Sequence, residues 1–175
     1  MLKALSMLNK RSFILLPLMI STWLSPLCFA LPTDRQQPIH ISADSAQIDD
    51  NTGTTTYKGN VLITQGSLEI RAANVDLHRV NDDVSQIIAT GSPANFRQQP
   101  SAGQAITDAY GEKLDYQITD QTVTITGKAR VEQAGDTFSG ERIVYQMNKA
   151  IVNAYSGNGS SGQRVQMIIQ PKAKQ

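Results

Sequence analysis

Few residues in this chain have the type and spacing that chemistry demands. His40 and His78 could ligate a metal or move a proton, but each lies beside apolar residues in an alternating run. That pattern turns their rings toward a solvated face. Gly157 to Gly162 (GNGSSG) matches G-x-G-x-x-G, whose backbone amides can cradle a pyrophosphate. The match fails in context, because the motif must open a helix after a strand, whereas Arg164 to Ile169 reads as another alternating strand. A hairpin loop is the better reading. Asp49-Asp50 and Asp82-Asp83 pair carboxylates, but they sit in turn signals, where Asp is favoured for its local hydrogen bonds; calcium is a second reading there. HExxH, CxxC and G-x-S-x-G motifs are absent. These observations lead to an expectation of no catalytic residue, no metal and no cofactor.

The one cysteine, Cys28, belongs to a leader. Lys3, Lys10 and Arg11 precede an apolar stretch from Phe13 to Leu24, and Cys28-Phe29-Ala30 closes it with small residues at both ends. This is the pattern of a secretory signal peptide cut after Ala30. An uncleaved anchor is the lesser reading, since a span needs roughly 20 apolar residues and Pro17 and Pro26 interrupt this one. Leu27 before Cys28 argues against lipidation. Residues 1–30 are therefore assigned to the leader, 31–171 to one domain and 172–175 to a short tail. Removing the three leader cations from the 16 Lys and Arg leaves 13 against 15 Asp and Glu, a net charge near −2. Nucleic acid is an unsuitable partner on that balance. Without cysteine, the mature chain must be held by a core.

The elements that would build this core repeat themselves. YKGNVLITQG, Tyr57 to Gly66, returns 68 positions later as ITGKARVEQAG, Ile125 to Gly135. Longer units begin at Ala43, Ala72, Gly111 and Gly140, spaced by 29, 39 and 29 residues, and run on to Gly59, Gly91, Gly127 and Gly157. The ten extra residues of the middle interval fall in the loop-like QQPSAGQ, Gln98 to Gln104. Such periods indicate units that bury their apolar faces only by stacking. Within them, Ile39 and Ile41, Leu68 and Ile70, Val75 and Leu77, Leu114 with Tyr116 and Ile118, Val123 and Ile125, and Val165 with Met167 and Ile169 alternate with polar residues. Period two means half-buried strands. Ile106 to Leu114 has some helical spacing, but Gly111 and its match to the other units decide for strand. The sequence thus predicts an all-β fold: a roll of two facing sheets made of a dozen or more short antiparallel strands, with free strands at its ends.

Three stretches carry a family resemblance. QPIHISADSAQID (Gln37 to Asp49), TTTYKGNVLITQGSLEIRAANVDLHR (Thr54 to Arg79) and GEKLDYQITDQTVTITGKARVEQAGDTFSGERIVY (Gly111 to Tyr145) resemble the LptA, OstA-like periplasmic proteins of lipopolysaccharide export. The resemblance covers nearly the whole mature chain. It implies a β-jellyroll that stacks end to end as a periplasmic bridge, with an LptC-like inner-membrane partner at its N-terminal edge and an LptD-like outer-membrane partner at its C-terminal edge. It also implies that lipopolysaccharide passes with its acyl chains inside the roll.

Ile39, Ile41, Phe96, Tyr116 and Ile118 match family positions on the cargo path, and Arg79 matches one near the groove. Arg79 could meet a lipid A phosphate or be a solvated surface charge. The apolar interior likewise has two readings, a packed core or a splayed strip open to acyl chains. The free edges are placed at Ile39, His40 and Ile41 and at Val165, Met167 and Ile169. A carbohydrate-active enzyme is disfavoured because the acids cluster at turns, away from the apolar stripe. A structural or adhesive repeat scaffold without lipid cargo remains the alternative.

Overall fold

The computed structural model describes residues 34–81, 83–100, 103–157 and 164–171. The leader, Asp82, most of the GNGSSG loop and the tail lie outside the described residues. Among the described residues of the unit Leu31–Gln175, ten strands form one antiparallel sheet. They are β1 (His40–Ser42), β2 (Ser45–Asp49), β3 (Thr54–Gln65), β4 (Leu68–Val80), β5 (Asp83–Gln98), β6 (Thr107–Gln117), β7 (Thr122–Gln133), β8 (Asp136–Gln146), β9 (Ile151–Tyr155) and β10 (Gln166–Ile168). Ile106 to Leu114 is strand from Thr107 onward, as its repeat match predicts. Among the described residues no helix is long and apolar enough to cross a membrane.

The expected dozen short strands are instead six long ones, β3 to β8, of 11 to 16 residues, flanked by four short ones. Each long strand is interrupted near its middle. The pairing register shifts between Lys58 and Val61, Arg71 and Asn74, Thr90 and Ala94, Tyr110 and Lys113, and Thr126 and Ala129. An inserted residue bends the strand and increases its twist. The landmarks of the sequence repeat, Gly59, Ala72, Gly91, Gly111, Gly127 and Gly140, all fall at this line. One repeat is therefore one hairpin crossing the same fold line twice.

The doubled phrase is the device that makes the crossing. Gly59 and Asn60 have φ of 79° and 46°, and Gly127 and Lys128 have φ of 78° and 49°. In both bends glycine takes the position with φ near 78°, where a Cβ would also run into the side chain of Asp44 or Glu112. An acid from the preceding segment, Asp44 between β1 and β2 or Glu112 within β6, caps each bend. Asn60 Nδ2 donates to Asp44 Oδ2 at 2.9 Å, and Lys128 Nζ lies 2.9 Å from Glu112 Oε1. A short return strand and a tight turn complete the phrase, the second turn using Ala134 and Gly135 at φ of 53° and 90°. Two positive φ values in a two-residue loop match the right-handed twist of the flanking strands.

The fold line divides the sheet into two leaves. One contains β1, the halves of β3 to β8 beside it, and β10; the other contains β2, the remaining halves, and β9. The leaves face each other. Phe96 pairs with Ala109 on β6, so a flat sheet would put Tyr116, seven positions on, about 23 Å away. Its ring centroid is 5.4 Å from that of Phe96, edge to face. Both leaves then contribute to one core: Val61, Ile63, Ile70, Phe96 and Val131 from the first, Val75, Ile87, Leu114, Ile125, Ile143 and Tyr145 from the second. This is the predicted all-β jellyroll, made by folding one sheet over on itself.

Candidate functional site

Five of the six residues predicted to meet cargo lie on the inner faces. Phe96 is fully buried and Tyr116 is 4% exposed, while Ile39, Ile41 and Ile118 are half-buried and pack against the core cluster from its margins. The interior is thus filled by its own side chains, and its apolar surface becomes accessible toward the edges. Gln117, next to Tyr116, turns outward and donates to Asp115 Oδ1 at 3.1 Å. Arg79 is placed apart from these five. Near the end of β4, after a register shift beside His78, its Nη2 lies 3.2 Å from Asp50 Oδ1 at the surface.

Both predicted edges are open among the described residues. β1 pairs there only with β3 and β10 only with β8, leaving the far side of each without a neighbour. His40 is exposed, and Val165, Met167 and Ile169 are 47%, 53% and 63% exposed. Sequence reasoning missed that each edge is double. β2 and β9 border the second leaf as β1 and β10 border the first, and they expose Ile48, Ile151 and Tyr155. The usable signal for β9 is composition, since Ile151, Val152 and Tyr155 favour strands. The N-terminal edge is fastened by Asp34, whose carboxylate accepts from Ser67 N at 2.8 Å, from the Ser67 hydroxyl, and from Gln98 Nε2 at 3.0 Å.

Outside, the chemistry is that of a solvated surface. His78 Nδ1 is 3.1 Å from Thr54 Oγ1, and the Asp49 carboxylate accepts from Asn51 N at 3.0 Å in a local turn. Among the described residues, no three His, Cys, Asp or Glu gather closely enough to hold a metal. A recess of about 380 Å³ lies at the fold line, lined by residues including Pro93, Tyr110, Lys128 and Arg130. None of the six predicted cargo residues lines it. The Arg130 guanidinium stacks 4.6 Å over the Tyr110 ring, and desolvation, followed by the charges of Asp108 and Glu132, raises the Tyr110 pKa above its ordinary value. Its hydrogen bond to Glu112 raises the Lys128 pKa. Both groups keep their protons at neutral pH.

Comparison with known proteins places this architecture. Residues 40–151 match the family described as LptA/(LptD N-terminal domain) LPS transport protein. The chain is 41% identical over 155 residues to the lipopolysaccharide export system protein LptH of Pseudomonas aeruginosa, covering 86% of this chain and 89% of that one. It is 30% identical over 149 residues to the lipopolysaccharide export system protein LptA of Escherichia coli, covering 84% and 78% of the two chains. The crystal structure of LptH, described as the LptA homologous periplasmic component of the lipopolysaccharide transport device of Pseudomonas aeruginosa, superposes with a TM-score of 0.73 at 39% identity. That match covers 80% of this chain and 100% of LptH. A folded-over sheet with an apolar interior and double open edges, matched in sequence and structure across most of its length, identifies the chain as a member of the LptA/LptD N-terminal-domain family.

Proposed function

We propose that the protein is exported by a cleaved leader to the periplasm, where it binds lipopolysaccharide and bridges an LptC-like partner in the inner membrane to an LptD-like partner in the outer membrane. The observation that carries this reading is an apolar interior running from one double edge, β1 with β2, to the other, β9 with β10. Acyl chains displacing such a lining gain roughly 25 cal/mol for each Å² buried, without regard to direction. Cargo held in this way can be passed along, whereas a tight specific site would stall it. Open edges supply the coupling, because an unpaired strand recruits another strand by main-chain hydrogen bonds. The names of the relatives, export proteins rather than enzymes, agree with a role without turnover.

A photo-cross-linker at Tyr116 should capture lipopolysaccharide, and one at Gln117, facing outward on the same strand, should not. Equal capture at both positions would overturn the inward path. The packed interior favours a second reading, a repeat scaffold without lipid cargo, and capture at neither position would support it.

A further inference from the structure

At the side of the roll opposite the fold line, where the strand ends of the two leaves form a mouth, a polar contact joins the leaves. Gln133, the last residue of β7, donates from Nε2 to Thr107 Oγ1 at 2.8 Å and to the Tyr145 hydroxyl at 3.3 Å. Thr107 and Gln133 belong to the first leaf and Tyr145 to the second, all near strand ends remote from the fold line. Along an extended β8 the ring of Tyr145 would be about 30 Å from the turn that follows Gln133. Thr107 is 1% exposed and Tyr145 2% exposed, so their polar atoms are satisfied by this contact rather than by bulk water.

We propose that Thr107, Gln133 and Tyr145 form a clasp that keeps the empty roll shut, and that its release is the step that admits an acyl chain. The proposal rests on the lipid-binding reading above. Its physical basis is a difference between two kinds of contact across the leaves. The Phe96 and Tyr116 rings meet by dispersion, and a hydrocarbon chain sliding between them replaces what it displaces. A hydrocarbon cannot replace a hydrogen bond. Entry must therefore break the clasp, and the separated groups must turn to water at the mouth, where Gln133 is already half exposed. Apolar packing sets how much the interior can hold, and the clasp sets how often it opens.

Tyr145→Phe removes the hydroxyl and leaves the ring, so the fold is retained while one cross-leaf bond is lost. The net value of such a bond corresponds to about fivefold in an opening equilibrium. Amide hydrogen exchange in peptides containing Thr107, Gln133 and the β8 residues on either side of position 145 should accelerate by about that factor, and fluorescently labelled rough lipopolysaccharide should be captured correspondingly faster. Gln133→Met cuts the same bond from the other leaf, together with the in-leaf bond to Thr107, and should reproduce both effects at least as strongly. The double variant should open no further than Gln133→Met alone, since the Tyr145 hydroxyl then has no cross-leaf bond left to lose. Unchanged exchange at the strand ends in both single variants overturns the clasp. Faster exchange with no capture by any form, wild type included, leaves the clasp standing and overturns the lipid reading instead.

Discussion

Arg79 is a cation with a partner already in place. Its ion pair with Asp50 is exposed, the Asp50 side chain being 88% accessible, so it contributes about 0–1 kcal/mol to stability. A phosphate could displace the carboxylate at small cost. If Arg79 meets a lipid A phosphate, Arg79→Ala weakens lipopolysaccharide binding at low salt and the difference fades as salt screens it. Asp50→Asn, which removes the competing carboxylate, then strengthens binding under the same conditions. Titrations of the two variants at low and high salt decide the point: unchanged affinity in both assigns Arg79 to the surface. His40 is exposed at the first edge, and His78 and Asp49 are engaged locally by Thr54 and Asn51.

The decisive elements are the bends, and their strain can be measured. Gly127 has φ of 78°, and a Cβ there would come within 2.7 Å of Glu112 Oε2. Gly127→Ala should cost about 1–2 kcal/mol, from the left-handed backbone that alanine resists. Glu112→Gly in the same chain should recover the part owed to the collision, which involves the Glu112 Cβ at 2.9 Å as well as its carboxylate, and chemical denaturation of the single and double variants separates the two. The bends also explain what was legible in the sequence. Strands, turns and the inward set Leu68, Ile70, Val75, Leu77, Leu114 and Tyr116 followed from period-two alternation. The length of the strands did not. In β4 the inward residues are Leu68 and Ile70 before the bulge and Val75 and Leu77 after it, so the phase reverses within one strand. A one-residue slip exchanges faces, and a phase reversal reads as an end and a new beginning. The Thr107, Gln133 and Tyr145 contact was obscure for another reason. It depends on how the leaves meet, which alternation along one strand does not encode; the partner of Arg79 lies within its own leaf, in the turn after β2, and depends on strand pairing instead.

At the scale of the whole molecule, the sheet ends in open strands among the described residues. β10 is exposed along its length and touches the sheet through Gln166, Met167 and Ile168 opposite Ser139, Phe138 and Thr137. Deleting Val165 to Gln175 removes none of the buried core found among the described residues. If copies bind lipid and join head to tail through this edge, the truncated protein should melt as a folded domain and retain lipid binding, but lose an assembly that, being unable to close, lengthens with concentration in the intact chain. Sedimentation velocity over a concentration series reads this directly; indistinguishable behaviour of the two proteins would move the joint elsewhere. The doubled edges add a mechanical consequence. A joint made through a single strand would swing like a door, leaving successive interiors free to turn out of line. Strands on two separate leaves fix two lines of attachment that do not coincide, and a pair of such lines resists torque. Copies coupled through both would transmit twist as a shaft does, and their bores would stay coaxial under thermal agitation.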